Sequence, residues 1–247
     1  MAKKLYEESN IQNIANAIRQ KNGTTTTYKT SDMADAIKAL DTSGGSSGTS
    51  GSITGIIERT LTSIEDNSAS YVASGAFYNY SALQTVNLPN VGYVGNAAFT
   101  SCSNLTSVSL QNVDQLNEMA FYSCTSLTTI HVPKLTTIGL QVFQNCTNLV
   151  TLDLPKVNYI ETYAFDNCMS LTTLILRNSS VVTLGTGATE VFNNCPVGVG
   201  GYIYVPYSLM SSYKNNAKWS YFADQFRALE AYTVDGTTTG ALDPTKI

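Results

Sequence analysis

The sequence predicts a repeat solenoid of ~22-residue units, each adding one short strand to a parallel sheet. A helical hairpin precedes it and a helical cap closes it. Three observations predict this. Six of the eight phenylalanines stand at 77, 99, 121, 143, 165 and 192, with four gaps of 22 residues and a last gap of 27. Three residues after each of the last five comes a cysteine: Cys102, Cys124, Cys146, Cys168 and Cys195. Six residues after each of the first five comes a leucine: Leu83, Leu105, Leu127, Leu149 and Leu171.

Within a unit, Leu is followed by an alternating triplet such as Thr129-Ile130-His131, then by an apolar residue and, in three units, by Pro89, Pro133 or Pro155. Alternation marks a half-buried strand, and proline ends it because it cannot donate to a ladder. A second apolar pair, such as Leu135 and Ile138, precedes the next Phe. No unit buries its apolar side alone; stacked units bury it against each other, in columns of Phe, Leu and Cys. Leu61 and Ile64 look like the back half of an earlier unit, followed by an insertion over 65–74. Residues 177–191 are longer and irregular, and Ile203-Tyr204-Val205-Pro206 is expected to be a last strand.

The ends differ. In residues 9–40, Ile11, Ile14 and Ile18 lie on one helical face and Met33, Ile37 and Leu40 on another, with Asn22-Gly23 as a stop between them. Each helix is too short to stand alone, so residues 1–40 are expected to form a docking or self-association hairpin. Residues 41–52 are Gly, Ser and Thr apart from Asp41, a flexible linker. The solenoid spans 53–206. Residues 207–231, with Trp219 and Phe222, are expected to form two short helices over its end, and 232–247 a loose polar tail.

Composition limits function. Charged residues are 13% of the chain and the net charge is -4, which leaves no basic excess for a phosphate backbone. No apolar run reaches the ~18 residues of a membrane span. The five cysteines show no C-x-x-C spacing, so no metal or cofactor is expected; burial as small hydrophobes is. His131 is the sole histidine, and Asp153 occupies its place one repeat later. The two are expected to come within reach of each other, but without a nucleophile or oxyanion donor they make no catalytic site.

The outward strand positions are Thr85, Asn87, Ser107, Ser109, Thr129, His131, Thr151, Asp153, Thr173 and Ile175, with Tyr202 and Tyr204 at the end. Such a row on a concave face suits a glycan or a protein loop. Asn79, Asn145, Asn167 and Asn194, two residues after Phe, are expected to support turns instead.

The segment Cys124-Thr-Ser-Leu-Thr-Thr-Ile-His-Val-Pro-Lys-Leu-Thr-Thr-Ile-Gly139 carries a family resemblance. It resembles the BspA-type (Treponema pallidum-like) leucine-rich repeats, over about residues 54–206. That resemblance implies a curved solenoid and a non-enzymatic surface or adhesion role. Residues 11–23 and 28–37 resemble a short N-terminal element of tail and fibre proteins of phages that infect Gram-positive bacteria. The start also lacks a hydrophobic stretch after Lys3-Lys4, unlike a secretory signal. The expectation is therefore a virion-surface protein. It docks to the particle through residues 1–40 and meets a host-surface glycan or protein through the solenoid. A bacterial cell-surface or secreted adhesin, and a purely structural virion fibre, are the alternatives. The sequence does not count chains; the apolar helix faces allow a homo-oligomer.

Overall fold

The computed structural model describes residues 61–67, 69–230, 232–234 and 237–239. The expected hairpin over 1–40, with Ile11, Ile14, Ile18, Met33, Ile37 and Leu40, lies outside the described residues, as do the linker and residues 53–60.

Each coil of the solenoid has three sides. The first is a strand of three or four residues: β1 (Ser63–Glu65), β3 (Thr85–Asn87), β5 (Ser107–Ser109), β7 (Thr129–His131), β9 (Thr151–Leu154), β11 (Thr173–Leu176) and β13 (Tyr202–Val205). The second is a two-residue strand: β2 (Tyr71–Val72), β4 (Tyr93–Val94), β6 (Gln115–Leu116), β8 (Thr137–Ile138), β10 (Tyr159–Ile160) and β12 (Thr183–Leu184). The third is the turn side that holds Phe and Cys. All pairing between coils is parallel, and residue i faces residue i+22 in the regular units, as Thr85 faces Ser107 and Ser107 faces Thr129.

The second row of strands was not foreseen. Each of its strands turns one residue inward, so the pattern left is a lone apolar pair three apart, such as Val91 and Val94, both fully buried. The expected insertion over 65–74 is also corrected. Ser63 pairs with Thr85 and Tyr71 with Tyr93, both 22 residues on, so the first unit is full length. Asp66 and Asn67 stand where later units have Leu and Pro, which hid the register. The real lengthening follows Phe165: Tyr159 pairs with Thr183, and a 3-10 turn over Glu190–Phe192 takes up the rest.

The core is a set of columns. The rings of Phe77, Phe99, Phe121, Phe143, Phe165 and Phe192 stack at centroid distances of 5.1 to 5.8 Å, with planes within 8° of parallel. Offset stacking of this kind adds about 0.5–1.5 kcal/mol per pair beyond the area buried. The five cysteines form no disulfide and all are buried. Four of them give their thiol hydrogen to the carbonyl of the Phe 25 residues earlier, as Cys124 does to Phe99 at 3.1 Å and Cys168 to Phe143 at 3.0 Å. The column is therefore both packing and hydrogen bonding. Burial pushes the Cys124, Cys146 and Cys168 thiols well up, and Cys195 up to about 12.

The turn side is itself a ladder. Asn79, Ser101, Ser123, Asn145, Asn167 and Asn194 take φ of 50° to 63°, the left-handed region that Asn tolerates best among residues with a Cβ. In that conformation each of the first five directs its N–H at the next coil, as Asn145 does to the Asp166 carbonyl at 2.9 Å. This agrees with the turn role expected of the asparagines.

The C-terminal end departs from the expected pair of helices. α1 (Tyr207–Lys214) and a kinked 3-10 segment (Trp219–Gln225) form first. The chain then returns as β14 (Phe226–Ala228), parallel to β13. The cap thus extends the sheet as well as covering the core. Trp219 and Phe222 receive the last ring of the column, Phe192, at 5.9 and 5.2 Å. Tyr213 and Trp219, both fully buried, clamp one residue: Val182 N–H donates to the Tyr213 hydroxyl and Trp219 Nε1 donates to the Val182 carbonyl. Burial pushes Tyr213 up to about 12. Part of the tail expected to be loose forms an antiparallel pair, β15 (Tyr232–Val234) with β16 (Thr237–Thr239).

Candidate functional site

The long strands present two outward rows, fixed by register. The first runs Ser63, Thr85, Ser107, Thr129, then Thr151, Thr173, Tyr202; the second runs Glu65, Asn87, Ser109, His131, then Asp153, Ile175, Tyr204, Arg227. Period-two alternation puts the residue between each pair into the core, so both rows point away from it. All twelve expected positions therefore fall on one face. Thr85, Thr129, His131 and Tyr202 are exposed, and Asn87, Ser107, Ser109, Thr151, Asp153, Thr173 and Tyr204 half-buried. Ile175 is the correction: it is fully buried, between Asp153 and Tyr204 in its row, and offers nothing to a ligand.

The rows divide into two sheets, β1-β3-β5-β7 and β9-β11-β13-β14, with no ladder pairing between β7 and β9 among the described residues. A local substitution accompanies the break. Thr106 and Thr128 each donate a hydroxyl at 3.0 Å to the carbonyl 22 residues earlier, Gln84 and Thr106. The next place in that column is Val150, which has no hydroxyl to give to Thr128 and is 48% exposed.

Across the break the expected His131–Asp153 pairing is displaced. The Asp153 carboxylate is held by Arg177, whose Nε lies 3.0 Å from both oxygens and whose Nη2 lies 2.8 Å from Oδ2. A planar guanidinium meets a carboxylate in two parallel bonds, which a single imidazole cannot match. Beyond Ile175, Arg227 sits 4.5 Å over the Tyr202 ring, and Tyr202 meets Tyr204 edge to face at 6.2 Å. The face therefore grades from small hydroxyls and amides at β3 to a cluster of Tyr and Arg at β13 and β14. Sequence reasoning missed Glu65, Arg177 and Arg227. Glu65 was assigned to an insertion, and Arg227 lies on a strand that looked helical.

Two other features lie off this face. A groove of about 620 Å³ on the turn side is lined by Met169, Phe192, Asn193, Val199, Tyr221 and Phe222, among others. Asp166, only 6% exposed, accepts hydrogen bonds from Gln144, Asn167 and Asn193 and so is satisfied by neutral amides. No group of three His, Cys, Asp or Glu able to hold a metal occurs among the described residues.

A solved leucine-rich repeat protein from Bacteroides ovatus is similar in fold, with a TM-score of 0.51 and 25% identity over 67% of this chain. The match covers 41% of that protein, so the chain spans less than half of its length. The T. pallidum leucine-rich repeat protein gives a TM-score of 0.40 at 28% identity, over 51% of this chain and 69% of its own. A leucine-rich cell surface protein from Faecalibacterium prausnitzii gives 0.45 at 24%, over 56% and 43%. No curated protein matches the chain. The repeat itself matches the BspA type leucine rich repeat region in six copies over residues 70–197. With more than half of its length accounted for in this way, the chain belongs to the BspA-type leucine-rich repeat family.

Proposed function

We propose that the chain is a non-enzymatic recognition module of a cell-surface or secreted leucine-rich repeat protein. Its outward long-strand rows contact a surface glycan or protein. The observation that carries this reading is the face itself: two outward rows, mostly Thr, Ser and Asn, carried on two parallel ladders and ending in Tyr202, Tyr204 and Arg227. Hydroxyls and amides give adaptable hydrogen bonds, and Tyr and Arg are the side chains that most often anchor an interface. A row held by packed columns loses little conformational entropy on binding. Catalysis is not part of the proposal, because the carboxylate nearest the sole histidine in sequence register is committed to Arg177.

Family membership supports the cell-surface or secreted reading over a virion one. The virion reading, with docking through Ile11, Ile14, Ile18, Met33, Ile37 and Leu40, rests on residues outside the described part. The test is to probe immobilised arrays of glycans and extracellular-matrix proteins with the purified chain and with Tyr202→Ala. Binding to one or a few array members, weakened in Tyr202→Ala, is the expected result. Uniform absence of binding, or binding unchanged by the substitution, overturns it.

A further inference from the structure

The two-residue strands carry an outward row that the proposed contact face does not use. By register it runs Tyr71, Tyr93, Gln115, Thr137, Tyr159, Thr183. Tyr71 is 55% exposed and Tyr93 47%. They stand on adjacent paired strands, so their side chains leave the sheet about 4.8 Å apart. Tyr93 and Tyr159 are three strands apart, roughly 14 Å, with Gln115 and Thr137 between them. The six paired strands make one platform, with two adjacent exposed rings at Tyr71 and Tyr93, then Gln115 and Thr137, then the half-buried Tyr159.

We propose that this platform is a binding site for an uncharged polysaccharide chain. It is distinct from the long-strand face and does not rest on that reading. The chemistry selects the ligand. A pyranose has a face of polarised C–H bonds that the negative face of a Tyr ring attracts, and an equatorial rim of hydroxyls. The platform offers both complements. Tyr71 and Tyr93 present rings; Gln115, whose Nε2 donates to Asn117 Oδ1 at 3.0 Å, and Thr137 present donors and acceptors between them and Tyr159. Tyr159 is held in place by its hydroxyl bond to Glu161 at 2.5 Å, and Glu161 is further fixed by the Thr162 N–H at 2.8 Å. No row position carries a charge; Asp114, Glu118 and Glu161 lie near it in sequence and a single cation, Lys218, donates to the Leu184 and Gly185 carbonyls at its end, so the row offers no cationic cluster to a polyanion. A neutral chain of sugars meets the whole row without burying a charge, whereas a sulfated or carboxylated one does not.

The test is affinity gel electrophoresis of the full chain in gels containing dextran, laminarin or hydroxyethyl cellulose, with heparin as the polyanion control. The proposal expects retardation by at least one neutral polymer. Tyr93→Ala should weaken it about tenfold, as loss of a central interface aromatic does; Tyr93→Trp should retain it. Tyr93 is exposed, so an unchanged melting temperature shows that both variants fold. Asn148→Lys, exposed and outside both the long-strand and the two-residue-strand rows, should leave retardation unchanged. The proposal is overturned by mobility unchanged in all three neutral gels, by equal retardation of Tyr93→Ala, or by retardation in heparin alone.

Discussion

Replacing Phe121 with alanine removes the middle of the aromatic column. The ring is fully buried, 5.1 Å from Phe99 on one side and 5.8 Å from Phe143 on the other. Truncating a buried Phe to Ala costs about 3–5 kcal/mol in transfer and cavity terms. Two stacked partners place this site near the top of that range, since each pair adds about 0.5–1.5 kcal/mol. For a chain of this size, 1 kcal/mol corresponds to roughly 2–4 °C in Tm, so Phe121→Ala should lower Tm by about 10–15 °C. Phe77, half-buried with one Phe neighbour at 5.2 Å, should lose about half as much. Phe121→Leu, which keeps most of the volume, should cost about 1–1.5 kcal/mol. Thermal melts and urea unfolding followed by circular dichroism measure all three. If Phe121→Ala and Phe77→Ala cost the same, or if Phe121→Ala costs under 1 kcal/mol, the column is not the core that the stacking geometry makes it.

Three further outcomes follow from the columns and their ends. The five buried thiols, of which Cys124, Cys146, Cys168 and Cys195 are held protonated by desolvation, should ignore an aromatic disulfide reagent at pH 8 in the native state. All five should react in guanidinium; fast native labelling of Cys146 would contradict the packing. Val150→Thr should supply the missing hydroxyl bond to the Thr128 carbonyl and raise stability by about 0.5–1.5 kcal/mol, read as a shift of the urea midpoint; a loss would refute the column argument. The bond from Tyr159 holds the Glu161 carboxyl below its usual range, aided by the Thr162 N–H. A lowered folded pKa contributes stability that is present above the unfolded value near 4.3 and lost as pH falls through the folded one. The Tm gap between wild type and Glu161→Gln should therefore be widest above pH 5 and close toward pH 3. A gap that widens on acidification would reverse the sign.

Much of the fold was legible because a solenoid writes its core in one dimension. The 22-residue spacing of Phe, Cys and Leu placed every core column, and the alternation around Val86, Val108, Ile130, Leu152 and Leu174 placed the long strands in register. The parts that were not legible have physical causes. A two-residue strand buries one side chain and leaves no alternation to read. The first unit kept its length but replaced Leu-Pro with Asp66-Asn67, and a pattern reader takes that for an insertion. Phe222 and Phe226, four residues apart, imitate a helical stripe, yet the second ends a column on a strand. At the candidate site, register predicted which residues share the face, but not their competition. Arg177 reaches Asp153 from one coil further on, and Ile175 is covered in its row; neither follows from periodicity.

The contact role of the long-strand face is tested most directly by a pair of charge-matched substitutions in one coil-length of chain. Thr129 is exposed in the middle of the first outward row, and Asn148 is exposed outside the long-strand rows. Each becomes lysine, and both variants are measured against the array member that the wild type binds best. Thr129→Lys should abolish the signal while Asn148→Lys leaves it within about twofold, the usual range for a residue outside the contact. Full binding by Thr129→Lys together with loss in Asn148→Lys would move the contact off this face and contradict the account.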